Sequence, residues 1–159
     1  MRVGNGYDIH RLGKGYPLII GGVQIQYKLG CIAHSDGDVL LHAIIDSLLG
    51  AVCLGDIGKH FPPSDSTYKD ISSIELLKKT GQMVSNAGYL IQNIDSTVIL
   101  QEPKLAPYIP KMCEKIAKAL NISVHQVSVK GKTKEHVDAA GRGEAIEAQT
   151  SVLIEHETA

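Results

Sequence analysis

The sequence contains no tryptophan and only one phenylalanine beside six tyrosines, so it lacks the basic and aromatic surface that grips nucleic acid. An excess of one charge is missing too. Sixteen basic against seventeen acidic residues leave a formal charge of −1, which removes the electrostatic argument for a polyanionic partner. Cysteine is sparse: Cys31, Cys53 and Cys113 are odd in number and form no C-x-x-C pair, which excludes a zinc knuckle or redox couple and points to a reducing compartment. The opening MRVGNGYDIHR lacks the apolar core of a signal peptide, and the most apolar stretch, Val39 to Leu54, is interrupted by His42 and Asp46. The expectation is a cytoplasmic, non-membrane protein; a plastid-type organelle protein stripped of its transit segment has the same appearance. No repeat, low-complexity tract or linker divides the 159 residues, so 1–159 reads as one catalytic domain. A chain of this length buries a core without disulfides or a structural metal, which makes any metal a functional one.

What is present is short apolar runs punctuated by glycine, proline and serine. Residues 2–10 read as a strand, and 18–20 with 23–27 as a hairpin closed by Gly21-Gly22. A helix is expected over 36–54, opened by a capping box Ser35-x-x-Asp38, and a second over 73–87 opened by Ser72-x-x-Glu75. A third runs over 107–120, with Pro107 and Pro110 near its first turn. Strands at 95–101, 125–131 and 144–155 complete the set. The alternation lacks a regular β-α-β rhythm, so the fold class is α+β: a mixed β-sheet with three helices packed on one face.

Alternate residues of a strand share a face, which sets Asp8 and His10 side by side with α-carbons about 7 Å apart. A lone D-x-H is most simply a solvated strand face. His42 changes the balance, because VLLHAIIDSLL is apolar on nearly every side and a buried imidazole needs partners for both nitrogens. A core hydrogen bond would satisfy it, but two imidazoles and a carboxylate also match a catalytic zinc site with an open fourth position. Asp38 and Asp46, a turn either side of His42, read as carboxylates supporting the ligands or as cap and surface charges. His34-Ser35-Asp36-Gly37 lies at the expected helix start, where free N–H groups favour a phosphate. Gly131-Lys132-Thr133 looks like the end of a Walker loop, yet Gln126 stands where the motif requires glycine, which rejects a P-loop. Lys130, Lys132, Lys134 and Thr133 remain as phosphate donors beside Glu135, which reads as a magnesium ligand or an ordinary ion pair. Arg142 between Gly141 and Gly143 can approach an anion or a neighbouring subunit.

GYDIHR at 6–11, AHSDGDVLLHA at 33–43, LGDIGKHFP at 54–62, EPK at 102–104 and GRGE at 141–144 together resemble the 2-C-methyl-D-erythritol 2,4-cyclodiphosphate synthase family, from Met1 to about Glu155. The resemblance implies a phosphorus–oxygen lyase of the non-mevalonate isoprenoid pathway. In its reaction the 2-phosphate of a cytidine-diphosphate-linked methylerythritol attacks its own β-phosphorus and expels CMP. It implies zinc on Asp8, His10 and His42, one per subunit, and a magnesium or manganese ion on Glu135 bridging the substrate diphosphate. His34 and Thr133 would stabilise the transferring phosphoryl group as catalytic residues. Asp56 and Gly58 would hold the ribose, with Ile57 between them also contacting the substrate, and Phe61, Pro62, Pro63, Ser64 and Asp65 the methylerythritol. Leu100, Gln101, Glu102, Pro103, Lys104, Leu105 and Ala106 would hold the cytosine. Ser35, Lys132, Lys134, Ala139 and Arg142, with Asp8 and His10 themselves, complete the implied substrate contacts. The resemblance also implies a homotrimer with active sites between subunits and an isoprenoid diphosphate on the threefold axis near Arg142. One subunit would then supply the zinc ligands and Asp56, its neighbour Lys104, Thr133 and Glu135.

Pro63, where many members carry an acid, and Ala139, where some carry an aromatic, depart from the family pattern and bear on substrate affinity. Two other readings stay open. Two histidines and a carboxylate also describe a non-haem Fe(II) oxygenase, and a non-catalytic phosphometabolite-binding trimer needs the same donors.

Overall fold

Glycines decide how the longest helix meets the sheet. In the computed structural model, which describes residues 1–33, 35–62, 64–68 and 71–157, strand β1 (Arg2–Gly13) turns Gly4, Gly6, Asp8 and His10 to its inner face. Helix α1 (Val39–Ala51) lies directly on that face. A Cβ on Gly4 would sit 1.9 Å from the Ser47 carbonyl oxygen, and one on Gly6 1.9 Å from that of Ala43. Only glycine permits so close an approach. The helix therefore runs along β1 with its N-terminal turns directed at Asp8 and His10, and His42 comes down over them.

The other strands are β2 (Leu18–Ile20), β3 (Val23–Ile25), β4 (Gly30–Cys31), β5 (Tyr89–Ile99), β6 (Val127–Lys132) and β7 (Ala145–His156). The main sheet is mixed, in the order β4-β1-β7-β5-β6; among the described residues only β5 and β6 pair in parallel, joined through α4 (Ile109–Leu120). β2 and β3 form a separate ribbon, whose turn places Gly21 and Gly22 at φ 59° and 70° as a two-residue hairpin demands. Helices α1, α3 (Ser73–Asn86) and α4 pack together and bury Leu40, Ile44, Leu48, Leu77, Met112 and Ile116. The opposite face of the sheet is left open: Val3, Tyr7 and Ile9 on β1 and Leu90 on β5 are exposed.

The α+β class and the one-sided helices are as expected; several boundaries are not. α1 begins at Val39 because its cap is Asp38 itself, whose carboxylate accepts Leu41 N–H at 3.1 Å, so the Ser35-x-x-Asp38 box is not formed. Ser72 caps α3 without a side-chain bond, and Glu75 pairs with Lys78 instead. α4 starts at Ile109, with Pro110 in its first turn and Pro107 outside it. β5 starts six residues earlier than expected, at Tyr89, across a register shift between Ile91 and Asn93 that breaks the alternation. β4 and the one-turn helices α2 (Ile57–His60) and α5 (Asp138–Gly141) are too short for periodicity to reveal.

Candidate metal centre and phosphate site

Asp8, His10 and His42 converge between β1 and α1. His42 Nδ1 lies 2.9 Å from Asp8 Oδ2 and 3.1 Å from His10 Nε2, and His10 Nε2 lies 3.2 Å from the same carboxylate oxygen. A tetrahedral ion with bonds of about 2.1 Å spaces its ligand atoms about 3.4 Å apart, so the three atoms already outline one face of such a site. Two neutral imidazoles and a carboxylate suit zinc as a donor set, and the residues therefore fit the ion. The electrostatics agree. Burial, opposed by Asp8, lowers the pKa of His10 and so favours the neutral ring a metal needs. Burial would lower His42 as well, but its hydrogen bond to Asp8 and that group's charge outweigh it and raise the pKa.

The other edge of the His42 ring is also held. Its Nε2 lies 3.0 Å from Ser73 Oγ and 3.3 Å from Ser35 Oγ. Ser73, the first residue of α3, donates from both its N–H and its hydroxyl to Asp36. Of the two readings open for Asp38 and Asp46, Asp38 takes that of a helix cap, and Asp46 bonds a backbone amide. Asp38 is fully buried and accepts Gly21 N–H at 2.9 Å and Gly22 N–H at 2.6 Å besides capping α1, while burial pushes its carboxyl up to about 6. Asp46 accepts Ile57 N–H at 2.7 Å and so ties α2 to α1. The amides of Gly37 and Asp38 are taken by Ser35 and Asp36. Asp38 takes Leu41 N–H as well, so three amides at this expected phosphate site have side-chain partners within the chain. His34 lies outside the described residues.

A second group of expected residues gathers at the end of β6. Leu100, Gln101, Pro103, Lys104, Leu105 and Ala106 line a pocket of about 200 Å³ together with Ile109, Gly131, Lys132 and Thr133. Glu135 accepts the Thr133 hydroxyl, and it and His136 take left-handed backbone, at φ 50° and 63°. The lysines do not all point to a ligand. Lys130 pairs with Asp95, and Lys134 donates to Asp138 at 2.9 Å and Glu147 at 3.0 Å, bonds that raise its pKa. Tyr7 extends this network by donating to Glu147 at 3.3 Å. Ile9, Glu147, Ile99 and Lys132 lie in one row across four strands. The two groups thus stand three strand spacings apart, about 14 Å.

Residues 1–155 match the YgbB family. The chain is 55% identical over 154 residues to the 2-C-methyl-D-erythritol 2,4-cyclodiphosphate synthase of Clostridium kluyveri, which covers 97% of this chain and 94% of that protein. The chain belongs to the YgbB family. Among solved structures it is similar to the bifunctional IspDF of Campylobacter jejuni, with a TM-score of 0.94 and 40% identity; the match covers 98% of this chain and 42% of that longer one. A Plasmodium falciparum IspF solved as a CDP complex matches with a TM-score of 0.87 and 36% identity over 99% of this chain and 97% of that one.

The remaining residues expected from the YgbB-like motifs are spread over three places. Asp56 caps α2 by accepting Lys59 N–H at 2.9 Å, and is exposed together with Gly58. Phe61 is buried edge-on against Tyr68, so it supports the segment after α2 rather than facing solvent. Asp65 accepts Thr67 N–H, and Pro63 lies outside the described residues. Ala139 sits in α5, and Arg142, just past it, forms a two-pronged pair with Glu144 at 2.9 and 3.0 Å. Sequence reasoning missed Ser73 and the link from Lys134 to Glu147. Ser73 follows the serine that the capping pattern selects, and nothing local distinguishes it.

Proposed function

We propose that the chain is a 2-C-methyl-D-erythritol 2,4-cyclodiphosphate synthase of isoprenoid biosynthesis, releasing CMP as it closes the cyclic diphosphate. The observation that carries this reading is the closed triad of Asp8, His10 and His42 in a chain that matches synthases over nearly its whole length. Neither rival has comparable support: the curated relatives are named as synthases, not as iron oxygenases or binding proteins.

In the reaction an oxygen of the substrate's 2-phosphate forms a bond to the β-phosphorus, and the bond from that phosphorus to the CMP oxygen breaks. Asp8, His10 and His42 would hold zinc, and Glu135 magnesium or manganese. When bound, these ions polarise the phosphoryl oxygens and offset charge on the departing CMP. The chain's own task is orientation, since the nucleophile is already part of the substrate. The pocket beside Thr133 would take the cytosine, largely through backbone groups of 100–106, with Lys104 adding a charge beside the nucleotide. Asp56 and Gly58, with Ile57 between them, would take the ribose hydroxyls, and residues 61–65 the methylerythritol. Thr133 and His34 would donate to the transferring phosphoryl group as its charge spreads. Ser35, Lys132 and Lys134 would border the phosphates, Lys134 only after loosening its bonds to Asp138 and Glu147.

A single chain cannot bring both groups to one diphosphate if about 14 Å of sheet separates them. This favours a homotrimer in which Asp8, His10, His42 and Asp56 of one subunit face Lys104, Thr133 and Glu135 of the next. The open sheet face with exposed Val3, Tyr7 and Ile9 is the natural surface to be covered. Arg142 and Ala139 would then lie toward the threefold axis, where an isoprenoid diphosphate could balance three guanidiniums. No helix among the described residues is long and apolar enough to cross a membrane, in keeping with a cytoplasmic place for the enzyme.

The test is to incubate the zinc- and magnesium-loaded protein with 4-diphosphocytidyl-2-C-methyl-D-erythritol 2-phosphate and follow products by phosphorus NMR. One CMP per cyclic diphosphate is expected. Release of inorganic phosphate, or CMP without the cyclic product, would contradict the proposal.

A further inference from the structure

We infer that Ser73 and Asp36 form a positioning relay that fixes the tautomer of His42 and so sets how tightly the triad holds its metal. The inference rests on the reading of Asp8, His10 and His42 as metal ligands. Neither Ser73 nor Asp36 touches the ion's place; both act through the His42 ring.

The direction of the hydrogen bonds carries the argument. Asp36 is a carboxylate and can only accept, so the single hydroxyl proton of Ser73 is committed to it. The Ser73 oxygen 3.0 Å from His42 Nε2 has only a lone pair left to offer, so it accepts. The proton of a neutral His42 ring is thereby held on Nε2. Nδ1, the atom beside Asp8 and His10, presents its lone pair to an incoming cation. Ser35 Oγ, 3.3 Å from the same Nε2 and engaged by Gly37 N–H, offers a second oxygen on that side. Outer partners of this kind orient imidazole ligands, and their loss typically weakens metal binding about 10- to 100-fold.

A purely structural role explains less. The start of α3 needs the N–H of Ser73 satisfied, and the bond of that N–H to Asp36 at 2.8 Å does so without the hydroxyl. Ser72, the residue in the cap position, makes no side-chain bond at all. The Ser73 hydroxyl is fully buried and spans the gap between Asp36 and the imidazole, which is a placement the cap alone does not require.

Replacing the carboxylate gives a directional test. In Asp36→Asn the new amide can donate to Ser73 Oγ, which frees the hydroxyl to donate to His42 Nε2 and favours the tautomer with its proton on Nδ1. The experiment measures zinc affinity by competition with a chelator for wild type, S73A, D36N, the double variant and H42A, with unfolding of each apo protein recorded in parallel. Wild type should bind one zinc per chain, and S73A and D36N should bind about 10- to 100-fold more weakly. The double variant should fall no further than the worse single, because both changes break one chain of bonds. Nitrogen-15 NMR of the zinc-loaded wild type should find the His42 proton on Nε2. Wild-type affinity in both S73A and D36N, with zinc lost from H42A, would overturn the relay and leave the metal reading intact. Zinc retained in H42A, or absent from wild type, would overturn the metal reading itself. If S73A does not fold, D36N and the NMR result decide.

Discussion

Around His42 the ring nitrogens, the serine hydroxyls and the carboxylates of Asp8 and Asp36 are engaged with one another, buried or half-buried between β1, α1 and α3. At the end of β6 the polar residues stand differently: Thr133, Lys132 and Glu135 are exposed, Glu135 rests on the threonine two residues away, and the pocket beside them is open. The first region is assembled within one chain, and its three donor atoms lie close enough to share a single ion. The second is framed by β5, α4 and β6, and the nearby Lys130 pairs with Asp95 rather than with this group. The contrast teaches that the donor atoms of the triad are held by a network within the chain, while the residues at the end of β6 stand exposed beside an open pocket, which on the proposed reading a substrate and a neighbouring subunit would complete.

The comparison breaks most visibly at His42. His42→Ala should release the zinc and reduce CMP formation at least about a thousandfold while the protein stays folded, since two ligands hold the ion poorly. Metal analysis and circular dichroism check it. Wild-type zinc content would end the assignment. Next in size is Asp38→Ala, which deprives Gly21, Gly22 and Leu41 of their acceptor in a fully buried place and should cost about 3 kcal/mol in urea unfolding. A loss below about 1 kcal/mol would mean that the α1 start and the hairpin do not depend on this clamp.

The triad was legible in the sequence because two strong patterns cross there: a polar residue inside an otherwise apolar helix, and two metal-ligating types at strand spacing. The glycines at positions 4 and 6, which let α1 settle onto β1, are visible as letters but not as contacts. What the sequence hid depends on distant partners. Asp36 meets Ser73 across 37 positions and Lys134 meets Glu147 across 13, and neither pair has a local signature. Asp38 is a cap, as one of its two readings has it, but Ser35 is not the cap of a box; a Ser-x-x-Asp spacing suggests one whether or not the first serine is the cap. The late expected start of β5 has a similar cause: the irregularity near Ile91 and Asn93 interrupts the alternation by which strands are read.

Smaller effects sharpen the second region. Glu135→Gln should keep the zinc but lose most of the stimulation by added magnesium, a loss of about ten- to a hundredfold in turnover at saturating magnesium. An unchanged magnesium titration would make Glu135 only the partner of Thr133. Lys130→Ala should do least. Its exposed pair with Asp95 contributes under about 1 kcal/mol, and turnover should match the wild type; a marked fall in kcat would return Lys130 to the phosphate site.

The most direct test of a site finished by a neighbour is subunit mixing. His42→Ala and Glu135→Ala chains, each inactive alone, are unfolded together in equal amounts, refolded and assayed for CMP release, with mixed trimers verified by mass. Where the triad of the Glu135→Ala chain meets the glutamate of the His42→Ala chain, a complete site forms, and random assembly gives about a quarter of all interfaces this composition. The account predicts activity near a quarter of that of refolded wild type. Activity no higher than that of the two variants refolded separately would place both ion sites within a single chain and contradict it.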